Sequence, residues 1–239
     1  MQHVLLPALP MSSTADAMKH STSATPPATP QAPSAPLSAE RAEDLRPTIR
    51  RRDPVAFTPW PDGTLPLLSR LYASRGAVTP ELAQPRLANL HPPELMTGMQ
   101  GAVQLLTEAI AQDQRIVVVG DFDCDGATAC AVGVRGLRML GARHVAHAVP
   151  NRMVHGYGLS PALVEELAAL QPDLLVTVDH GIACHAGVAA AKARGWKVLV
   201  TDHHLPGPAL PAADVIVDPN LHEDAFPSKS LAGVGVIFY

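Results

Sequence analysis

The feature that most constrains the fold lies between positions 115 and 217, where five short apolar runs recur with helical text between them. The runs cover residues 115–119, 144–149, 174–178, 197–201 and 215–217, and helices are expected over 127–140, 161–170 and 183–194. A strand that is apolar at every position, rather than at alternate ones, needs cover on both faces. Helices of about 10 to 15 residues between such strands supply that cover. The pattern therefore predicts βαβ units and an α/β fold with a parallel sheet and helices on both faces.

The flanking text is different in kind. Residues 1–45 are rich in Pro, Ala, Ser and Thr with no apolar period, as in Thr25-Pro26-Pro27-Ala28-Thr29-Pro30. Such a stretch cannot bury enough apolar surface to offset its ordering entropy, and a disordered tail is expected. Arg46 and Arg50-Arg51-Arg52 form a small basic cluster of the kind usually found in a solvated linker. Helical spacing appears at Leu65, Leu67, Leu68, Leu71 and Tyr72, and again at Met99, Val103, Leu106 and Ile110, so residues 46–114 are read as a helical lead-in to a single domain over 115–239.

Composition narrows the class. With 239 residues, 47% hydrophobic and 17% charged, the chain can bury one good-sized core. No apolar run approaches the roughly 18 residues that a membrane span requires, and a cytoplasmic protein is expected. Cys124, Cys130 and Cys184 have neither paired-metal spacing nor an even count, and reduced packing residues are expected. A net charge of −4 argues against a uniformly basic nucleic-acid binder, although carboxylates gathered around metal ions would hide a phosphate-binding surface in that sum.

Three of the predicted strands end in acids. The first runs into Asp121-Phe122-Asp123-Cys124-Asp125-Gly126, the third into Asp179-His180-Gly181, and the fourth into Asp202-His203-His204. In an extended segment Asp121, Asp123 and Asp125 would project to one side, and three adjacent carboxylates repel unless a cation neutralises them. A calcium loop of the EF-hand type also begins D-x-D-x-D-G, but its twelfth position here is Val132 and a strand precedes it. Gly126 is expected to let the chain turn tightly into the next helix. Carboxylates and imidazoles without thiolates suit manganese, magnesium or iron better than structural zinc. Two such ions about 3.5 to 4 Å apart serve phosphoryl transfer, so phosphate-ester hydrolysis is the favoured reaction. Neither GxxxxGK[ST] nor GxGxxG occurs, which leaves a nucleotide-driven motor or a dinucleotide oxidoreductase without support.

These three segments resemble the first motifs of the DHH phosphoesterase superfamily, Asp202-His203-His204 being the namesake. The wider text is similar to the RecJ exonucleases in particular: Arg70 to Gly76, Val149-Pro150-Asn151-Arg152, Gly156 to Ser160, Thr201 to Pro206, and Pro227 to Gly235. The resemblance implies that Asp123, Asp125, Asp179 and His203 are metal ligands, with Asp179 bridging two ions. Asp121 and His204 would stand beside them in catalytic roles, His204 as a donor to the phosphate or leaving oxygen. It implies stepwise 5′ to 3′ hydrolysis of single-stranded DNA, in repair and recombination, with Mn2+ or Mg2+ as cofactor, and Arg152 holding a phosphate from a loop. His180 stands where these exonucleases are expected to have Asn, which puts metal preference in question. The resemblance also places a fourth aspartate and further domains after the apolar stretch Gly235 to Tyr239, so the 239-residue chain itself is expected to bind metal weakly and degrade DNA poorly. Two other readings stand beside this one: a phosphoesterase of short oligonucleotides or cyclic dinucleotides, and a non-catalytic fragment.

Overall fold

The structure, a computed structural model, describes Asp53 and residues 55–61, 63–84 and 86–239. The expected tail and the basic cluster at 46–52 lie outside the described residues.

The chain enters through α1 (Pro66–Ala73), the short α2 (Pro80–Ala83), two single 3-10 turns and α3 (Met99–Ala111). It then builds β1 (Ile116–Val119), α4 (Cys124–Met139), β2 (Val145–Ala148), α5 (Arg152–His155), α6 (Pro161–Leu167), β3 (Leu174–Val178), α7 (His185–Ala193), β4 (Lys197–Thr201), β5 (Val215–Val217) and α8 (Gly233–Phe238). The five strands form one parallel sheet in the order β2-β1-β3-β4-β5. The predicted fold class is therefore observed.

Strand side chains point alternately to the two faces, and each face has its own core. Ile116, Val118, Leu174, Val176, Val178, Leu199 and Val217 pack with Met99, Ala102 and Leu105 of α3, Ala129, Cys130 and Leu137 of α4, and Val236 of α8. Val117, Val119, Leu175, Val198 and Val200 pack with Leu163, Val164 and Leu167 of α6 and Val188 and Ala191 of α7. Each Val, Leu, Ile or Met taken fully out of water contributes about 1.5 to 3 kcal/mol, which is why β1 is apolar throughout and β3 and β4 are nearly so.

Three expectations are corrected. The buried face of α3 carries Met99, Ala102, Leu105 and Ala109, whereas Val103 is 55% exposed. Small alanines let that helix approach the sheet, and they carry little weight in a reading based on large apolar residues. Helix α4 begins at Cys124, three residues before the predicted start at 127, so the acidic segment is not extended throughout. Cys124 is exposed rather than a packing residue, while Cys130 is buried and Cys184 half-buried; all three are free thiols.

Candidate metal centre

In this strand order the chain steps from β1 outward to β2 and then returns to β3 on the other side of β1, which makes the carboxyl ends of β1 and β3 the switch point where open α/β sheets take their ligands. Asp121 and Asp123 follow β1, Asp179 follows β3, and His203 and His204 follow β4. The paired register of β1 with β3 and of β3 with β4 brings these ends side by side.

The local backbone explains how each acid is held. Asp123 caps α4, its carboxylate accepting from the Gly126 amide at 2.9 Å, an N-cap that satisfies an otherwise orphaned donor. That amide bond, more than any other influence, holds the Asp123 carboxyl below the usual carboxylate range. Gly126 is required for close approach rather than for a left-handed turn, because a Cβ there would lie 2.5 Å from the Asp121 backbone nitrogen and oxygen. Asp179 takes a left-handed backbone with φ +62° while its amide still bonds Thr201 across the sheet. Asp tolerates that conformation better than most residues, and it turns the carboxylate out of the strand toward the site. Gly181 follows at φ +125°, where an added Cβ would meet the Thr177 hydroxyl at 2.4 Å.

Two sets of ligand-type atoms converge to within 4.8 Å of one another: Asp121, Asp123 and Asp179 in one, and Asp179, His203 and His204 in the other. Asp179 belongs to both. It is 2% exposed, and burial first, then the Asp125 and Asp123 charges, push its carboxyl up to about 7. His203 Nε2 lies 3.0 Å from Asp179 and 3.6 Å from Asp125. His204 Nδ1 donates to Asp202 at 2.7 Å, since the Asp202 carboxylate can only accept there, and this fixes the imidazole so that Nε2 is the atom left for other partners. Desolvation opposes the charge on His204, but the Asp202 hydrogen bond together with the charges of Asp202, Asp179 and Asp218 outweighs it and raises the imidazole above its ordinary value. Asp121 is buried and one of its carboxylate oxygens has no hydrogen-bond partner; burial pushes its carboxyl up. Crowded carboxylates, one with an orphaned buried oxygen, and two imidazoles make a hard-donor set that fits divalent manganese or magnesium.

Asp125 stands differently. It belongs to neither convergent set, and both of its oxygens accept backbone amides, from Gly233 at 2.7 Å and Val234 at 2.8 Å. Arg152 lies in the first turn of α5 rather than in a loop, with its guanidinium 4.8 Å from the centre of the exposed Phe122 ring. His180 is fully buried, and desolvation drives its imidazole down to about 4. It sits beneath Tyr157 and 3.9 Å from the Cys184 sulfur, outside both convergent sets.

Sequence reasoning missed Asp218, a buried carboxyl with one unpartnered oxygen that burial pushes up to about 6. It follows the short strand β5 just as the other acids follow theirs, and that placement was a usable signal. Tyr157 was also missed as a site residue. Its ring packs edge-on near Phe122 and His204, and its hydroxyl reaches the Asp179 carbonyl at 3.5 Å.

Residues 115–239 match the family model described as "DHH family, N-terminal domain". The chain belongs to the DHH family. Beyond the DHH motifs it is 52% identical over 192 residues to the single-stranded-DNA-specific exonuclease RecJ of Dickeya dadantii, a match covering 80% of this chain and 33% of that protein. It is 48% identical over 191 residues to the RecJ of Escherichia coli, with the same coverage of 80% and 33%. The chain thus spans about a third of the length of the curated relatives it matches. Among solved structures, exonuclease RecJ bound to manganese aligns with a TM-score of 0.55 at 41% identity, covering 60% of this chain and 36% of that one. The Thermus thermophilus RecJ in complex with Mn2+ aligns with a TM-score of 0.56 at 38% identity, covering 70% and 23%.

Proposed function

We propose that this DHH-family chain carries the metal centre of a phosphodiesterase acting on single-stranded DNA from the 5′ end. The observation that carries the reading is that Asp179 belongs to both convergent donor sets, so the residues that would hold metal on either side share one carboxylate. The relatives' names as exonucleases and the manganese in two aligned structures support it. Asp123, Asp125, Asp179 and His203 would hold two ions, Mn2+ or Mg2+, with Asp121 alongside. When bound, such ions neutralise charge developing on the transferring phosphoryl group.

The protein's own groups do the rest. His204, held by Asp202 and biased toward its protonated form, offers Nε2–H as a donor to the phosphate or the leaving oxygen. Arg152 supplies a planar cation for a phosphate, and its stacking on Phe122 keeps the side chain beside the site. Phe122 and Tyr157, both exposed, present ring surface on which a base can stack, a sequence-tolerant contact worth about 1 to 3 kcal/mol per base. That open aromatic and cationic ground favours a polymeric strand over a small cyclic substrate.

The test is Mn2+ titration followed together by calorimetry and by cleavage of 5′-labelled single-stranded DNA, with Asp179→Ala as control. The expected result is weak heat of binding that disappears in the variant, and slow release of the label as mononucleotide from the 5′ end. Heat unchanged by Asp179→Ala would remove the metal assignment. Preference for dinucleotides over long strands would move the function to the short-oligonucleotide class.

A further inference from the structure

Helix α8 returns to the site from more than a hundred residues downstream of Asp125 and touches both carboxylate-bearing elements. The Gly233 amide donates to Asp125 Oδ2 and the Val234 amide to Asp125 Oδ1, so each oxygen of that carboxylate is fixed by one backbone N–H. A carboxylate has about four lone-pair directions, and the two amides leave capacity on each oxygen for a further partner. The same Gly233 is buried against Asp179: an added Cβ would lie 2.7 Å from the Asp179 Cβ and 2.8 Å from its Cα and Oδ1. The Asp179 Cα and Cβ are held by the backbone and cannot swing aside, and the Oδ1 could yield only by turning the carboxylate. Behind them α8 is seated on α4, where Ile237 would lie 3.3 Å from a Cβ at Gly133. The amide bonds and the close contact thus act on two different acids from one residue.

We propose that the turn at residues 232–234 is a positioning element of the metal centre. The Gly233 N–H and the absence of a Cβ there together fix the spacing between the Asp125 and Asp179 carboxylates, and that spacing sets metal affinity. The inference rests on the metal reading of the site given above.

Gly235 provides an internal comparison. A Cβ at that position would press on the Leu231 side chain, 2.4 Å from its Cδ1 and 2.8 Å from its Cγ, and its three nearest neighbours all belong to that leucine rather than to either acid. Mn2+ alone is titrated into the 239-residue chain and its variants by calorimetry, with the electron-paramagnetic signal of free Mn2+ as a second measure and metal-free melting as a check on folding. Gly233→Ala is expected to weaken Mn2+ binding at least tenfold, while Gly235→Ala stays within about threefold of the unmodified chain at a comparable metal-free melting temperature. Val234→Pro serves as a second variant that needs no room beside Asp179. It removes one donor to Asp125 at the second helical position, where proline is tolerated, and is expected to weaken binding several-fold. If the unmodified chain binds Mn2+ and both Gly233→Ala and Val234→Pro bind it equally well, the positioning role is overturned and the metal centre stands. If the unmodified chain takes up no more Mn2+ than Asp179→Asn, the metal reading falls and the positioning role falls with it.

Discussion

Replacing Asp179 by Asn separates the cost of assembling this site from its use. The Asp179 carboxyl is raised from 3.8 to about 7, chiefly by burial and then by the charges of Asp125 and Asp123. Between about pH 4 and pH 7 the folded chain therefore keeps a proton that the unfolded chain has lost, so metal-free stability falls as pH rises through that window. A shift of roughly three units at about 1.4 kcal/mol each amounts to about 4 kcal/mol as an upper value, because Asp123 and Asp125 share the repulsion. Asn keeps the shape and can still accept from His203 through its carbonyl oxygen, but it carries no charge. Metal-free Asp179→Asn is thus expected to be more stable than the unmodified chain by about 2 to 4 kcal/mol at pH 8, by less than half of that at pH 5, and nearly equal to it at about pH 4 and below. At about 2 to 4 °C per kcal/mol for a chain of this size, that is a rise of roughly 4 to 16 °C in melting temperature at pH 8. The assay is thermal melting in a chelator across that pH range, repeated with Mn2+. Manganese at a hundredfold excess over its Kd is expected to stabilise the unmodified chain by about 2.7 kcal/mol and the variant negligibly. An equal difference between the two proteins at pH 5 and pH 8, or a less stable variant at pH 8, would refute the reasoning.

Further predictions concern the neighbouring ground. Phe122→Ala is expected to weaken single-strand binding by about 1 to 3 kcal/mol with metal affinity unchanged, as measured by fluorescence anisotropy alongside the Mn2+ titration. Gly126→Ala would force a Cβ to within 2.5 Å of the Asp121 backbone, and a loss of about 1 to 3 kcal/mol in chemical denaturation is expected. Leu199→Ala, in a strand fully covered on both faces, is expected to cost about 2 to 5 kcal/mol by the same measurement, whereas Leu205→Ala, at 83% exposure, is expected to change stability by less than about 0.5 kcal/mol.

The sequence by itself determined the architecture and the location of the chemistry. Apolar runs without alternation require a sheet covered on both faces, and an acid written directly after such a run must emerge at its carboxyl end. The sequence could therefore announce Asp121, Asp123, Asp179, His203 and His204 as neighbours before any coordinates. Tertiary structure alone decided the rest, because those facts depend on contacts between distant segments. The early start of α4 made Asp123 a helix cap, and the arrival of α8 gave the Asp125 oxygens to the Gly233 and Val234 amides. Burial turned His180 into a neutral packing residue beneath Tyr157, although on paper it stands beside Asp179 like a ligand. Adjacency along a strand is fixed by local geometry and can be read from spacing. Which group satisfies a carboxylate, and how much water it keeps, depends on what the remainder of the chain packs against it.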